Sequence, residues 1–154
     1  MKRNPSDAAY LAESLVELER ALGHLEYSAR ASTAALNPNE KPNEDQLIQI
    51  EAFTSRFARV VDLLSKRVLR AIDQFEMQEP GTLLDIANRA EKRRLIESVE
   101  WLREVKDTRN EISHDYAGVR LLELLEFCRD ELPKLIDACN KTIRYGRDLL
   151  SRHS

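Results

Sequence analysis

The chain has 154 residues, near the usual size of one domain, with 42% apolar and 33% charged residues. Such a mixture buries a core and keeps a solvated surface, which excludes both disorder and a membrane span. Only 4 Gly and 5 Pro punctuate the chain, and the net charge is -3, so an all-α fold is expected in which any contact with a polyanion has to be local.

Asn4-Pro5-Ser6-Asp7 combines an N-cap residue, a proline for the first helical position and an acid, and Leu11, Leu15, Leu18, Leu22, Leu25 and Ala29 follow at three and four spacing. The prolines of Asn37-Pro38-Asn39-Glu40-Lys41-Pro42-Asn43 end this first helix in a loop. A second helix is expected from Asn43, with Leu47, Ile50, Thr54, Phe57, Val61, Leu64, Val68, Ile72 and Phe75 as one uninterrupted stripe. Glu79-Pro80-Gly81 breaks it, and Thr82-Leu83-Leu84-Asp85 has the pattern of a capping box opening a short third helix before Asn88.

Leu95, Val99, Leu102 and Val105 predict a fourth helix, with Trp101 off its stripe as either an interface anchor or a packed ring. Tyr116-Ala117-Gly118 is the next bend. Leu121, Leu125, Cys128, Leu132, Leu135, Cys139, Ile143 and Leu150 then mark a long fifth helix, which Pro133 is expected to kink near Arg129 or Asp130. Cys128 and Cys139 would lie about 16 Å apart along that helix, too far for a disulfide. Five such helices predict an antiparallel up-and-down bundle, a single domain over residues 1–154. The start of the chain has neither the apolar stretch of a secretory signal nor an Arg-rich presequence, so the cytoplasm is the expected compartment.

The chain contains no Gly-rich phosphate loop, no nucleophile elbow and no Cys/His spacing suited to zinc, so no metal or cofactor is expected. Of the three histidines, His24 falls in the first helix and His153 near the C-terminus. The third has chemically useful neighbours, in Arg109-Asn110-Glu111-Ile112-Ser113-His114-Asp115-Tyr116. A permanent cation, an amide, an imidazole and a phenol there lie within eight residues. One reading is structural: Arg109 pairs with a nearby acid, His114 interacts with its helix end and Tyr116 packs under the bend. The other is chemical. Metal-free RNA cleavage needs a base for the 2'-hydroxyl proton, an acid for the leaving oxygen and a cation for the phosphoryl oxygens. His114 and Arg109 supply two of these, and a symmetric dimer would bring a second pair. Apolar stripes on every long helix also favour a homodimer. Arg89, Lys92, Arg93 and Arg94 form the densest basic cluster, either a solvated helix face diluted by Glu91, Glu97, Glu100 and Glu104 or a weak RNA-binding patch.

Arg-Asn, three residues, His, one residue, Tyr, placed at the end of one bundle helix and before another, resembles the signature of the HEPN superfamily. The order of a long helix, a Pro-containing turn, a short helix and Trp101-Leu102 leading into the motif is similar to the HepT branch, over roughly Leu47 to Ile143. That resemblance implies a ribonuclease toxin with Arg109 and His114 catalytic in a composite dimer cleft and Asn110 supporting the motif geometry. It further implies neutralisation by a minimal nucleotidyltransferase (MNT-type) antitoxin that transfers AMP to Tyr116. Arg56 and Arg59 depart from the branch, whose substrate-binding relatives commonly carry an acid and a tryptophan on the second helix. The alternatives are a non-catalytic subunit that binds substrate or nucleotide for such a nucleotidyltransferase, and a structural helical adaptor.

Overall fold

The computed structural model describes residues 4–35, 41–115 and 118–153, all helices and connections with no strand among them. α1 spans Pro5–Ala35, α2 Glu44–Asp62, a π-helical segment Leu63–Val68, α3 Leu69–Phe75, α4 Leu83–Lys92, α5 Val99–His114 and α6 Leu121–Arg152. α2, the π segment and α3 run on as one rod, so the fold is the expected bundle of five helical rods.

Local chemistry sets most of the boundaries. The Asn4 side chain accepts the Ser6 N–H at 3.0 Å ahead of Pro5. Asn43 and Gln46 form a reciprocal capping box at the start of α2, as Thr82 and Asp85 do at α4. α4 runs past Asn88 to Lys92. α3 and α4 both end with a left-handed residue that is not glycine. At Met77 (φ 56°) the N–H of Gln78 bonds the Asp73 carbonyl, and at Arg94 (φ 61°) the N–H of Leu95 bonds the Ala90 carbonyl, each at 2.9 Å. These are Schellman stops, made without the usual residue.

The predicted stripes form the core. Leu11, Leu15, Leu18, Leu22 and Leu25 of α1 meet Ile50, Phe57, Val61, Leu64, Val68, Ile72 and Phe75 of the central rod. That rod also buries Phe53, Val60 and Leu69, because α1, α5 and α6 cover it from several sides. Leu95 corrects the fourth-helix reading. It is buried, but it belongs to the connection ahead of α5, which starts only at Val99 with the Ser98 hydroxyl capping the Trp101 N–H. Trp101 is a packed core ring, and its Nε1 finds no acceptor among the described residues. Cys128 and Cys139 are buried and free. α6 is helical throughout, including at Pro133. At Gly146 an added Cβ would sit 2.8 Å from both terminal carbons of the buried Leu15, so a glycine is what lets α6 approach α1 there.

The central rod is not the uniform α-helix that its stripe predicts. The Leu69 N–H bonds back five residues to the Leu64 carbonyl, and the buried Ser65 hydroxyl donates to the Val61 carbonyl at 2.7 Å. A residue added to a helical turn rotates everything beyond it by roughly 100°. Asp62 and Asp73 flank the π segment, and the altered register helps to aim them at different partners.

Candidate functional site

α5 carries the Arg109–His114 motif on its last turns. Buried Val99, Leu102 and Val105 fix the helix against the central rod. The helix stops after His114, and Gly118 (φ +66°) closes the turn with its N–H on the Asp115 carbonyl at 3.0 Å. The Asp115 carboxylate accepts the Arg120 N–H at 3.2 Å, so α6 starts directly beside the motif.

Asp62 is the centre of the site. Arg109 donates Nε to Asp62 Oδ2 at 2.8 Å and pairs Nη2 with the same oxygen at 2.8 Å, while its Nη1 donates to Ser113 Oγ at 2.5 Å. Lys106 Nζ, one turn earlier on α5, bonds Asp62 Oδ1 at 3.2 Å, and Lys66 lies 3.7 Å from that oxygen. Partial burial works against ionisation of Asp62, but the hydrogen bonds and charges of Arg109 and Lys106 outweigh it and hold the carboxyl below its ordinary value. Burial pulls the Lys106 ammonium down from its usual value, against the attraction of Asp62. The outcome is a guanidinium held in one orientation, a quarter exposed, at the lip of an open groove between α2 and α5. Ser55, Arg59, Asp62, Arg109, Ile112 and Ser113 line that groove. A second groove, sharing Ser55 and Ile112, continues past Asp115 and Gly118 to Leu121 and Leu124 of α6.

His114 is the exposed last residue of α5, and Asn110 is exposed one residue beyond Arg109. His114 lies five helical positions beyond Arg109, roughly 7.5 Å of rise and 140° of rotation. The two side chains therefore leave α5 in different directions. Tyr116 lies outside the described residues. In the basic cluster, Arg89 and Arg93 bind the buried Asp73 at 3.1 and 2.6 Å, and Arg93 also meets Glu76 at 3.2 Å, whereas Lys92 and Arg94 are exposed. Half of that cluster thus holds α4 to α3.

Sequence reasoning missed Asp62, Lys106 and Ser113. Asp62 did carry a signal: it is a lone carboxylate inside Val60-Val61-Asp62-Leu63-Leu64, where burial demands a cationic partner. The partner came from a different helix, so spacing alone did not reveal it.

The all-α bundle and the Arg-Asn-x3-His motif at the end of α5 are consistent with the HepT-like branch of the HEPN superfamily. The family model described as Ribonuclease HepT-like matches residues 34–142, and the chain belongs to that family. No curated protein and no solved structure matches it.

Proposed function

We propose that the protein is a metal-independent endoribonuclease toxin held in check by a nucleotidyltransferase antitoxin. The observation that carries the reading is the Arg109 guanidinium, fixed by Asp62 at an open groove on the helix that ends at His114, in a chain of the HepT-like ribonuclease family. In the reaction, a base removes the 2'-hydroxyl proton, the 2'-oxygen bonds to phosphorus, and the bond to the 5'-oxygen breaks as an acid protonates that oxygen. The products are a 2',3'-cyclic phosphate and a 5'-hydroxyl. Arg109 stabilises the charge on the phosphoryl oxygens, and His114 is one of the two proton-transfer groups.

The second group comes from another copy of the chain. A symmetric homodimer places two His114 and two Arg109 side chains in one cleft, which suits side chains that diverge within each protomer. Asn110 keeps the motif in shape by hydrogen bonding, and exposed Lys92 and Arg94 add weak phosphate contacts. No helix among the described residues is long and apolar enough to cross a membrane, and the proposed place of action is the cytoplasm.

Control falls to Tyr116. Its phenol oxygen attacks the α-phosphorus of ATP in the partner's active site, a base of the partner takes the proton, and pyrophosphate leaves. The added AMP puts a negative phosphodiester beside the cleft, where it repels RNA and competes for Arg109. Expression of the chain alone should arrest growth, and co-expression of the nucleotidyltransferase should relieve the arrest. Intact mass should then show AMP-sized additions on the wild type and none on Tyr116→Phe, which should stay toxic. A Tyr116→Phe chain that is still modified and neutralised overturns this mechanism of control.

The full pairing of Arg109 with Asp62 favours a second reading, because a compensated cation attracts phosphate less strongly. On it, the chain is a non-catalytic subunit that binds substrate or nucleotide for the nucleotidyltransferase. Expression alone would then leave growth unaffected.

A further inference from the structure

The cations near the groove fall into two kinds. Arg109 and Lys106 share Asp62, and Arg120 meets Glu111 at 3.1 Å. Arg56 and Arg59 meet no carboxylate among the described residues. They stand three residues apart on α2, where two like charges repel each other. Arg56 is nonetheless held in place. Its Nη1 donates to the His24 carbonyl at 3.0 Å and to the buried Ser28 hydroxyl at 2.6 Å, both on α1. Its Nε and Nη2 have no partner among the described residues. Arg59 is exposed and lines two hollows at once: one with Ala21, His24 and Arg56 between α1 and α2, and the groove that holds Asp62 and Arg109.

We propose that Arg59 and Arg56 form a phosphate-binding subsite that carries single-stranded RNA from the Arg109 groove over α2 toward His24. This rests on the ribonuclease reading and deepens it. An oriented guanidinium with free donors matches a phosphate's oxygens, and an anion lying between the two arginines relieves their repulsion. A ligand spanning both hollows has to cross Arg59, which a polymer does and a lone nucleotide in the Arg109 groove does not. In a chain of net charge -3, such a local pair is where a polyanion gains affinity.

The test is the binding of a single-stranded RNA oligonucleotide to the full chain bearing His114→Ala, which keeps the RNA intact, over a series of salt concentrations. Arg59→Ala should weaken binding roughly five- to tenfold and lower the slope of log affinity against log salt by about 0.7, the share of one phosphate on a single strand. Arg59→Lys should keep most of that slope, since the point charge remains. Arg152→Glu, a charge change at the far end of α6 where Arg152 pairs with Asp148, should alter neither quantity. RNA binding with unchanged affinity and slope in Arg59→Glu overturns the subsite and leaves the ribonuclease reading intact. The subsite is equally overturned if Arg59→Glu keeps its RNA affinity but is no longer modified by the nucleotidyltransferase, which would make the ridge a protein contact. Failure of the wild type to bind or cleave RNA removes both.

Discussion

The central rod presents two acids, each gripped by two cations from another helix, and the two clusters are built to different ends. Asp73 is buried and Arg93, the C-cap of α4, is largely covered, while Arg89 on α4 is as exposed as Arg109. Glu76 and Tyr145 extend that cluster, with the Tyr145 hydroxyl donating to Glu76 at 2.7 Å and Arg93 lying over the tyrosine ring at 5.9 Å. Asp62 is a quarter exposed, and its partner Arg109 opens onto a groove. The same ionic chemistry locks a helix joint in one place and holds a guanidinium at the lip of a groove in the other. What separates them is access to solvent, and the π segment between the two acids is the local device that turns them apart.

Substitution at each centre should therefore have opposite signatures. Arg109→Ala should lower RNA cleavage on the order of 10²- to 10³-fold with helix content unchanged in circular dichroism, because it removes a stabilising cation from the transition state. Asp62→Asn keeps the shape but releases Arg109 and Lys106. It should cut kcat roughly ten- to a hundredfold through loss of orientation, with a smaller change in KM. Asp73→Ala should destabilise the fold by about 2–3 kcal/mol in urea unfolding, since it leaves Arg89 without its acid and Arg93 with Glu76 alone in a partly covered site. Cleavage per folded molecule should survive that change. Equal loss of activity in Asp73→Ala and Asp62→Asn at matched folded fractions would merge the two clusters into one.

Acid sharpens the contrast further. A carboxyl whose folded value is depressed binds fewer protons in the fold than in the unfolded chain, so its stabilisation is complete above about pH 4 and is lost as pH falls through the folded value. Asp62 is depressed in this way. The stability difference between wild type and Asp62→Asn should accordingly be constant at neutral pH and shrink on acidification below about 4. A difference that grew in acid would reverse the sign.

The smallest effect concerns the joint between the central rod and α4. Met77 is left-handed and half exposed, so Met77→Gly should relieve backbone strain at little loss of packing and raise stability by about 0.5–1 kcal/mol. Thermal unfolding would show it. A lower Tm would mean that the Met77 side chain matters more than its φ angle.

These two clusters also mark where the sequence was legible. The leucine stripe of α1, the helix start at Asn43, the capping box at Thr82 and the motif of α5 are local patterns, and each is found where spacing and capping chemistry put it. The stop at Met77 was hidden because the left-handed residue is not glycine, and the π segment was hidden because Val61, Leu64, Val68 and Ile72 keep an ordinary helical spacing through it. The site was legible in part. Arg109 and His114 announce themselves as a motif, but pairing of Arg109 with an acid was expected only in general terms. Asp62 lies 47 residues away on another helix, and only folding brings the pair together.

The most direct test is cleavage of RNA by the purified chain in the presence of EDTA, compared between wild type and His114→Ala. The wild type should cleave and leave 2',3'-cyclic phosphate ends, and His114→Ala should lose at least about 10²-fold in rate, the least expected of a proton-transfer group. Undiminished cleavage by His114→Ala, or a wild type active only with a divalent metal, would contradict the account.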